Sequence, residues 1–96
     1  MRREKALELL RDHRDEISEF GVTSLRLFGS VARDEAVRES DVDLLVGFGS
    51  PPSFSEYMRL RIYLEDLLGS EVDLITEGGL RERVRPYVEK DSIRVT

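Results

Sequence analysis

Two aspartates separated by a single residue, Asp41 and Asp43, are the side chains of this sequence best suited to chemistry. They lie in the run Asp41–Phe48, which reads as a β-strand, and residues two apart on a strand project from the same face. Carboxylates that close repel each other unless a proton or a cation lies between them. Because carboxylate oxygens are hard ligands that suit Mg²⁺, the pair predicts a divalent-metal site.

Ten residues separate Asp41 from the pair Gly29-Ser30, which follows another strand-like run ending at Phe28. Glycine lets the backbone turn sharply or approach a ligand closely. We expect Ser30 to cap a short helix from Val31 to Glu35, whose free amides favour an anion. A phosphate cradle beside paired carboxylates indicates phosphoryl or nucleotidyl transfer.

The Gly-Ser pair and Asp41-x-Asp43 at this spacing resemble the signature of the DNA polymerase β-like nucleotidyltransferase superfamily. The longer string GSVARDEAVRESDVDLLV is similar to its smallest branch, the minimal nucleotidyltransferase (MNT) domains, such as the MntA-type antitoxins encoded beside HEPN-domain toxins. The resemblance covers nearly the whole chain. It implies two bound Mg²⁺ ions, ATP as the substrate, and transfer of AMP to a tyrosine of the HEPN toxin.

A third acid, Asp73, lies in the apolar run Glu71–Ile75, which predicts another strand. An acid there is costly to bury unpaired, so a cation should accompany it. If this strand lies beside that of Asp43, Asp73 completes a three-carboxylate cluster. The resemblance implies the same arrangement, because the family supplies its third acid from the next strand. The alternative is an edge strand with Asp73 in solvent.

These three acids are therefore the expected catalytic and metal-binding residues, with Asp73 accepting the proton of the incoming hydroxyl. Gly29, Ser30 and Arg33 are the expected nucleotide-binding residues, with Ser30 and the amides after it holding the β- and γ-phosphates. Arg33 adds a charge-assisted contact or, alternatively, is a surface residue paired with an acid.

The remaining pattern predicts an α/β fold, a small mixed sheet of three or four strands with flanking helices, and the resemblance implies a polymerase β palm-like fold. Apolar spacing predicts helices over residues 3–19 and 54–68, over about 80–84, and from about residue 86. His13, the one histidine, is read as a packing residue rather than a ligand. The predicted strands are Thr23–Phe28, Asp41–Phe48, Glu71–Ile75 and, at the sheet edge, Ile93–Val95.

Composition limits the class of protein. The 96 residues fit one domain, 1–96, and the formal net charge is −5, with no long basic run. This balance argues against direct binding of nucleic acid, which needs clustered Lys and Arg. A local basic group, Arg81, Arg83 and Arg85, is either a contact for phosphates or a partner, or a solvated helix face. No apolar run approaches the ~20 residues of a membrane span, and the absence of cysteine is compatible with the cytoplasm.

The combined expectation is a Mg²⁺-dependent antitoxin that moves AMP from ATP to a HEPN toxin and forms a hetero-oligomer with it. Two alternatives stay open at this point. One is an antitoxin that neutralises its toxin by binding alone. The other is a nucleotidyltransferase that acts on RNA or on a small molecule.

Overall fold

The computed structural model describes residues 2–34, 41–77 and 92–96. The two predicted helices between 80 and 90 and the group Arg81, Arg83 and Arg85 lie outside these ranges. Every helix within them is too short or too polar to traverse a lipid bilayer. The elements in chain order are α1 (Arg3–Asp12), α2 (Arg14–Ser18), β1 (Val22–Phe28), α3 (Gly29–Ala32), β2 (Val42–Phe48), α4 (Phe54–Leu68), β3 (Val72–Thr76) and β4 (Ile93–Arg94).

The described strands form one mixed sheet of four strands in the order β3-β2-β1-β4. The interior strand β1 runs antiparallel to both β2 and β4, whereas β2 and β3 are parallel. Parallel neighbours need a crossover rather than a hairpin, and α4 provides it between β2 and β3. The predicted α/β class and the edge position of the last strand are both confirmed.

One face of the sheet carries the hydrophobic core. Val42, Leu44 and Val46 of β2 are fully buried there and lie beside Leu25 and Leu27 of β1. Buried residues of α1 and α4 cover the same cluster. The apolar alternate residues of β2 therefore form its core face, and the other residues of each strand project from the opposite face.

The first predicted helix is wrong in one respect, because it is broken at His13 into α1 and α2. The His13 ring Nδ1 donates to the Leu9 carbonyl at 2.8 Å, the acceptor that the His13 amide would use in a continuous helix. That amide bonds to the Leu10 carbonyl instead, at 3.3 Å. Competition between a side chain and its own backbone thus interrupts the helix, and it gives His13 a structural partner.

The helix α4 matches its predicted range because both ends carry strong local signals. Ser53 and Glu56 form a capping box, each side chain bonding to the other residue's amide. Gly69 ends the helix in the left-handed conformation, at φ 66°. These two helix ends fix the length of the crossover, and the crossover positions β3 beside β2.

The core face predicts the effect of truncating β2. Replacing Leu44, which is fully buried, by alanine leaves a cavity and should lower the free energy of unfolding by about 2–5 kcal/mol. Urea unfolding followed by circular dichroism measures the loss. The matched variant Ile62→Ala changes a side chain that is 52% exposed and should lie within ~0.5 kcal/mol of the unmodified protein. Equal losses in the two variants would contradict the assignment of the core face.

Candidate active site

The parallel pairing of β2 with β3 aligns Asp43 directly with Asp73. Neighbouring strands lie about 4.8 Å apart, and aligned residues of a sheet project from the same face. For these two aspartates it is the face opposite the core. The prediction that β3 lies beside β2 is confirmed, and β3 is also an end strand of the described sheet, with Asp73 exposed.

The three acids differ in burial. Asp41 precedes β2 and is exposed, whereas Asp43 is half-buried. Leu45, the next residue on the same face as Asp43, is only 6% exposed. Asp43 therefore lies at the boundary between the exposed beginning of β2 and its buried centre.

The end of β1 brings the Gly-Ser corner to Asp43. Phe28, the last residue of the strand, pairs with Asp43 across the sheet. Gly29 follows with φ +75°, and a Cβ built there would collide with Oδ2 of Asp43 and lie 2.9 Å from its carboxyl carbon. Glycine is thus required at this position both for the backbone conformation and for the close approach of the carboxylate.

The predicted capping role of Ser30 is wrong. The helix α3 already begins at Gly29, its N-cap is Phe28, and the cap makes no side-chain hydrogen bond. The positive φ of Gly29 turns the strand straight into the helix, which places Ser30 inside the first turn. Ser30 remains partly exposed, and it directly follows Gly29, which lies against the Asp43 carboxylate.

The helix is also shorter than expected. It ends at Ala32, with Arg33 as the C-cap and Asp34 in the left-handed region at φ 58°. The Asp34 side chain accepts a hydrogen bond from the Arg3 amide, at 3.2 Å, at the start of α1. Arg33 is exposed and its positive charge acts on Asp43, so the structure brings it to the carboxylates.

The electrostatics of the site are concentrated on Asp43. Burial, followed by the negative charges of Asp73 and Asp41, raises the pKa of Asp43 from 3.8 to about 6, against the opposing positive charge of Arg33. Both neighbouring acids therefore lie close enough to repel the Asp43 carboxylate. A group that is hard to ionise for these reasons gains most from a nearby cation.

The donor set fits Mg²⁺ in its chemistry, since its ligands are carboxylate oxygens whose mutual repulsion a cation would relieve. Within residues 2–34, 41–77 and 92–96, however, no three acidic, histidine or cysteine side chains lie together as a ready metal cluster. The adjacency of the strands is thus confirmed, whereas a tight three-carboxylate cluster is not observed. Asp41 and Asp73 are both exposed, and their charges act on the half-buried Asp43.

A cavity of about 350 Å³ lies at the other end of β2 and β3. Its walls include Val46 to Pro52 and the pair Thr76 and Glu77, and none of the predicted site residues contributes to it. The carboxylates instead lie on the sheet face at the beginning of β2 and β3.

Sequence reasoning missed two arginines on the site face, Arg26 and Arg94. They are direct partners across β1 and β4. The alternation of Leu25, Arg26 and Leu27 already places Arg26 on the same face as Phe28. Its pairing with Arg94 joins residues 68 positions apart in the sequence, which no local pattern reveals.

Comparison with known proteins places this geometry in a family. Residues 10–95 match the family described as the nucleotidyltransferase domain. A Methanocaldococcus jannaschii protein named as a candidate protein adenylyltransferase is 46% identical over 86 residues, which cover 86% of this chain and 83% of the relative. The protein adenylyltransferase MntA of Thermococcus cleftensis is 39% identical over 93 residues, covering 96% and 94%.

Solved structures agree with the fold. A structure described as a candidate minimal nucleotidyltransferase superposes with a TM-score of 0.74 at 42% identity, covering 91% of this chain and 93% of that one. A complex of a tri-AMPylated Shewanella oneidensis HEPN toxin with an MNT antitoxin gives a TM-score of 0.70 at 17% identity, covering 94% and 71%. At that identity the second likeness shows the fold alone.

The contact between Gly29 and Asp43 predicts a difference between two glycine substitutions. Gly29→Ala and Gly69→Ala both place a side chain at positive φ, at +75° and +66°, but only the Cβ at position 29 meets neighbouring atoms. Each variant should lose about 1–2 kcal/mol of stability for the backbone, and Gly29→Ala should lose more because it displaces the Asp43 carboxylate. Urea unfolding measures both. A Gly29→Ala variant as stable as Gly69→Ala would show that the two groups are not in contact.

The raised pKa of Asp43 predicts a pH-dependent stability. Because the pKa in the folded state, about 6, exceeds the ordinary value of 3.8, the contribution of Asp43 is fully present below about pH 4 and is lost as the pH rises through 6. In chelator, Asp43→Asn should therefore melt at a higher temperature than the unmodified protein above pH 6. The difference should shrink as the pH falls towards 4.

Thermal melts between pH 4 and 8 check this, with Asp66→Asn on the exposed surface of α4 as the control for losing one acid elsewhere. An advantage of Asp43→Asn that stays constant or grows towards low pH would contradict the strained carboxylate.

Proposed function

Because this chain belongs to the nucleotidyltransferase domain family, we propose that it transfers AMP from ATP to a protein, a tyrosine of a cognate HEPN toxin, and so acts as its antitoxin. The observation that carries the proposal is the alignment of Asp43 with Asp73 beside the Gly29 corner. A nucleotidyltransferase needs carboxylates and a place for the phosphates side by side, and this end of the sheet offers both.

The nature of the acceptor is inferred from relatives. The relatives compared above are named protein adenylyltransferases, and a protein of the same fold forms a complex with an AMPylated HEPN toxin. A protein acceptor is also consistent with the small size of this chain, since such an acceptor brings its own binding surface. The proposed assembly is a hetero-oligomer of antitoxin and toxin, and the proposed location is the cytoplasm.

The site residues along the sheet face would have different roles in catalysis. Asp41, Asp43 and Asp73 would hold Mg²⁺, which would neutralise the negative charge that develops on the phosphate and lower the pKa of the attacking hydroxyl. Asp73, which is exposed on an end strand of the described sheet, would take the hydroxyl proton. Ser30 and Arg33, at the other side of Asp43, would bind the β- and γ-phosphates.

The transfer is a single displacement at the α-phosphorus of ATP. The tyrosine oxygen forms a bond to the α-phosphorus of ATP, the bond from that phosphorus to the bridging oxygen breaks, and pyrophosphate leaves. The proton passes from the tyrosine to Asp73. Because attacking and leaving oxygens must lie on opposite sides of the phosphorus, the acceptor approaches from the β3 side and pyrophosphate leaves towards β1.

The experiment combines the chain with labelled ATP, Mg²⁺ and the HEPN protein encoded beside it. The unmodified protein should label a tyrosine of the partner and release pyrophosphate. The double variant Asp41→Asn, Asp43→Asn should fold at least as stably, since it removes like-charge repulsion, but should label the partner at least about 10²-fold more slowly. Asp66→Asn is the matched control and should keep full activity.

Three results would contradict the proposal. Full labelling by the double variant would exclude catalysis at these carboxylates. Toxin neutralised without any labelling would indicate an antitoxin that acts by binding alone. Label found on RNA or on a small molecule instead of the toxin would indicate a different acceptor.

A further inference from the structure

The backbone of β3 has one edge on β2 and another edge that faces away from it. The Val42 amide donates to the Glu71 carbonyl at 2.9 Å, and Val42 is aligned with Val72. Because backbone groups alternate sides along a strand, those of Asp73 also point towards β2, whereas those of Val72 and Leu74 point to the outer edge. Groups on an outer edge need partners from elsewhere in the molecule or from solvent.

Two side chains of α4 bind these outer groups. Oε2 of Glu65 accepts a hydrogen bond from the Val72 amide at 3.1 Å, and the Tyr57 hydroxyl donates to the Leu74 carbonyl. The two bonded residues are the sequence neighbours of Asp73 on either side. The backbone around Asp73 is therefore bonded to β2 on one edge and to α4 on the other, and we call Tyr57 and Glu65 the α4 pair.

The α4 pair lies along one side of its helix. Tyr57 and Glu65 are eight residues apart, a little over two helical turns, and Arg61 lies one turn from each. Arg61 Nε is 3.7 Å from Oε2 of Glu65, so its positive charge faces the same oxygen that accepts from the strand. Both bonds are partly buried, and a hydrogen bond shielded from water is electrostatically stronger than an exposed one.

The helix that carries the pair is itself fixed in position. The capping box of Ser53 and Glu56 begins it, and Gly69 ends it. Its buried residues belong to the hydrophobic core and are Leu60, Leu64 and Leu68. A support held at both ends and along its length can fix the position of a short strand.

The position of β3 matters because Asp73 depends on it. The strand has five residues, it is an end strand of the described sheet, and Asp73 is the acid that it contributes beside Asp43. Catalytic and metal-binding groups must be held within about 0.5 Å of their productive geometry, and a displacement of about 1 Å can cost on the order of 10²-fold in rate. Pairing with β2 alone restrains only one edge of the strand.

We propose that Tyr57 and Glu65 are positioning residues, which bind the backbone on both sides of Asp73 and so hold its carboxylate where it meets the metal ion beside Asp43. This inference rests on the proposed function, in which Asp73 binds Mg²⁺ and takes the hydroxyl proton. The α4 pair acts through the backbone of β3 and not by contact with the nucleotide or the acceptor.

The first test measures metal binding without nucleotide or acceptor. The full chain is titrated with Mn²⁺ alone, and the free metal is followed by its electron paramagnetic resonance signal. Tyr57→Phe and Glu65→Ala should each weaken Mn²⁺ binding about 10-fold, as does the loss of other groups that orient a metal ligand. Glu65→Gln should bind almost as the unmodified protein does, because its amide oxygen still accepts from the Val72 amide.

The matched controls lie on other sides of the same helix. Tyr63→Phe removes a hydroxyl from a ring that packs against Phe20, and Asp66→Ala removes a carboxylate from an exposed position. Both should bind Mn²⁺ as the unmodified protein does. Thermal melts check that each variant is folded at the temperature of the titration. If Glu65→Ala unfolds, Tyr57→Phe carries the test, since it keeps the ring and loses only the hydroxyl.

The second test asks whether the α4 pair acts through Asp73. In an Asp73→Asn background, Tyr57→Phe should change the remaining Mn²⁺ affinity by less than about 2-fold, because the carboxylate that it positions is absent. A residue that only stabilises the fold would cause the same loss in both backgrounds. With the toxin and ATP, Tyr57→Phe should lower kcat about 10-fold and leave the KM for the acceptor protein unchanged.

The outcomes separate this inference from the proposed function. Unchanged Mn²⁺ affinity in folded Tyr57→Phe and Glu65→Ala would overturn the positioning role while leaving AMP transfer intact. An equal loss of affinity with and without the Asp73 carboxylate would also overturn it, because the pair would then act on the fold as a whole. Mn²⁺ binding that depends on the pair only when Asp73 is present, in a protein that transfers no AMP, would support the positioning role and refute the proposed function.

Discussion

The site depends on one electrostatic constraint, the forced proximity of like charges. The register of β2 and β3 holds Asp43 beside Asp73. Because Gly29 has no side chain, the Asp43 carboxylate can lie against the end of β1. Partial burial removes water that would otherwise screen the repulsion. The free protein therefore carries an unfavourable interaction that a proton or a divalent cation relieves. The raised pKa of Asp43 reflects its burial first and then the charges of Asp73 and Asp41.

The hydrophobic core maintains this arrangement. Val42 and Leu44, the two sequence neighbours of Asp43, are fully buried on the opposite face. A shift of β2 by one residue would expose these side chains and bury the carboxylate, so the register cannot relax to separate the charges. The capped helix α4 fixes β3 in the same way, because its length determines where that strand begins. Stability and chemistry thus use opposite faces of one strand.

The sequence was informative wherever a signal was local. Alternation of apolar residues in the sequence indicates which face of β2 is buried, and apolar spacing predicted the range of α4. The capping role of Ser30 failed because the positive φ of Gly29 lets α3 begin two residues early, at Gly29 rather than Val31. The break at His13 depends on a bond between a side chain and its own backbone. Neither event changes the hydrophobic pattern, so periodicity could not reveal it.

Contacts between distant segments were the other limit. The sequence left two positions open for Asp73, one in a carboxylate cluster and one on an edge strand. The structure combines features of both. The strand is an end strand of the described sheet and also the parallel neighbour of β2. The pairing of Arg26 with Arg94 likewise required the strand order, because the two residues belong to segments with no shared pattern.

The most direct test of this account is a crystal structure of the chain with Mn²⁺ and a non-hydrolysable ATP analogue, using the anomalous signal of the metal. The account predicts metal peaks within bonding distance of Asp43 and Asp73, with the phosphates extending past Gly29 towards Ser30 and Arg33. Metal and nucleotide bound elsewhere, with the two carboxylates left without a cation, would contradict it.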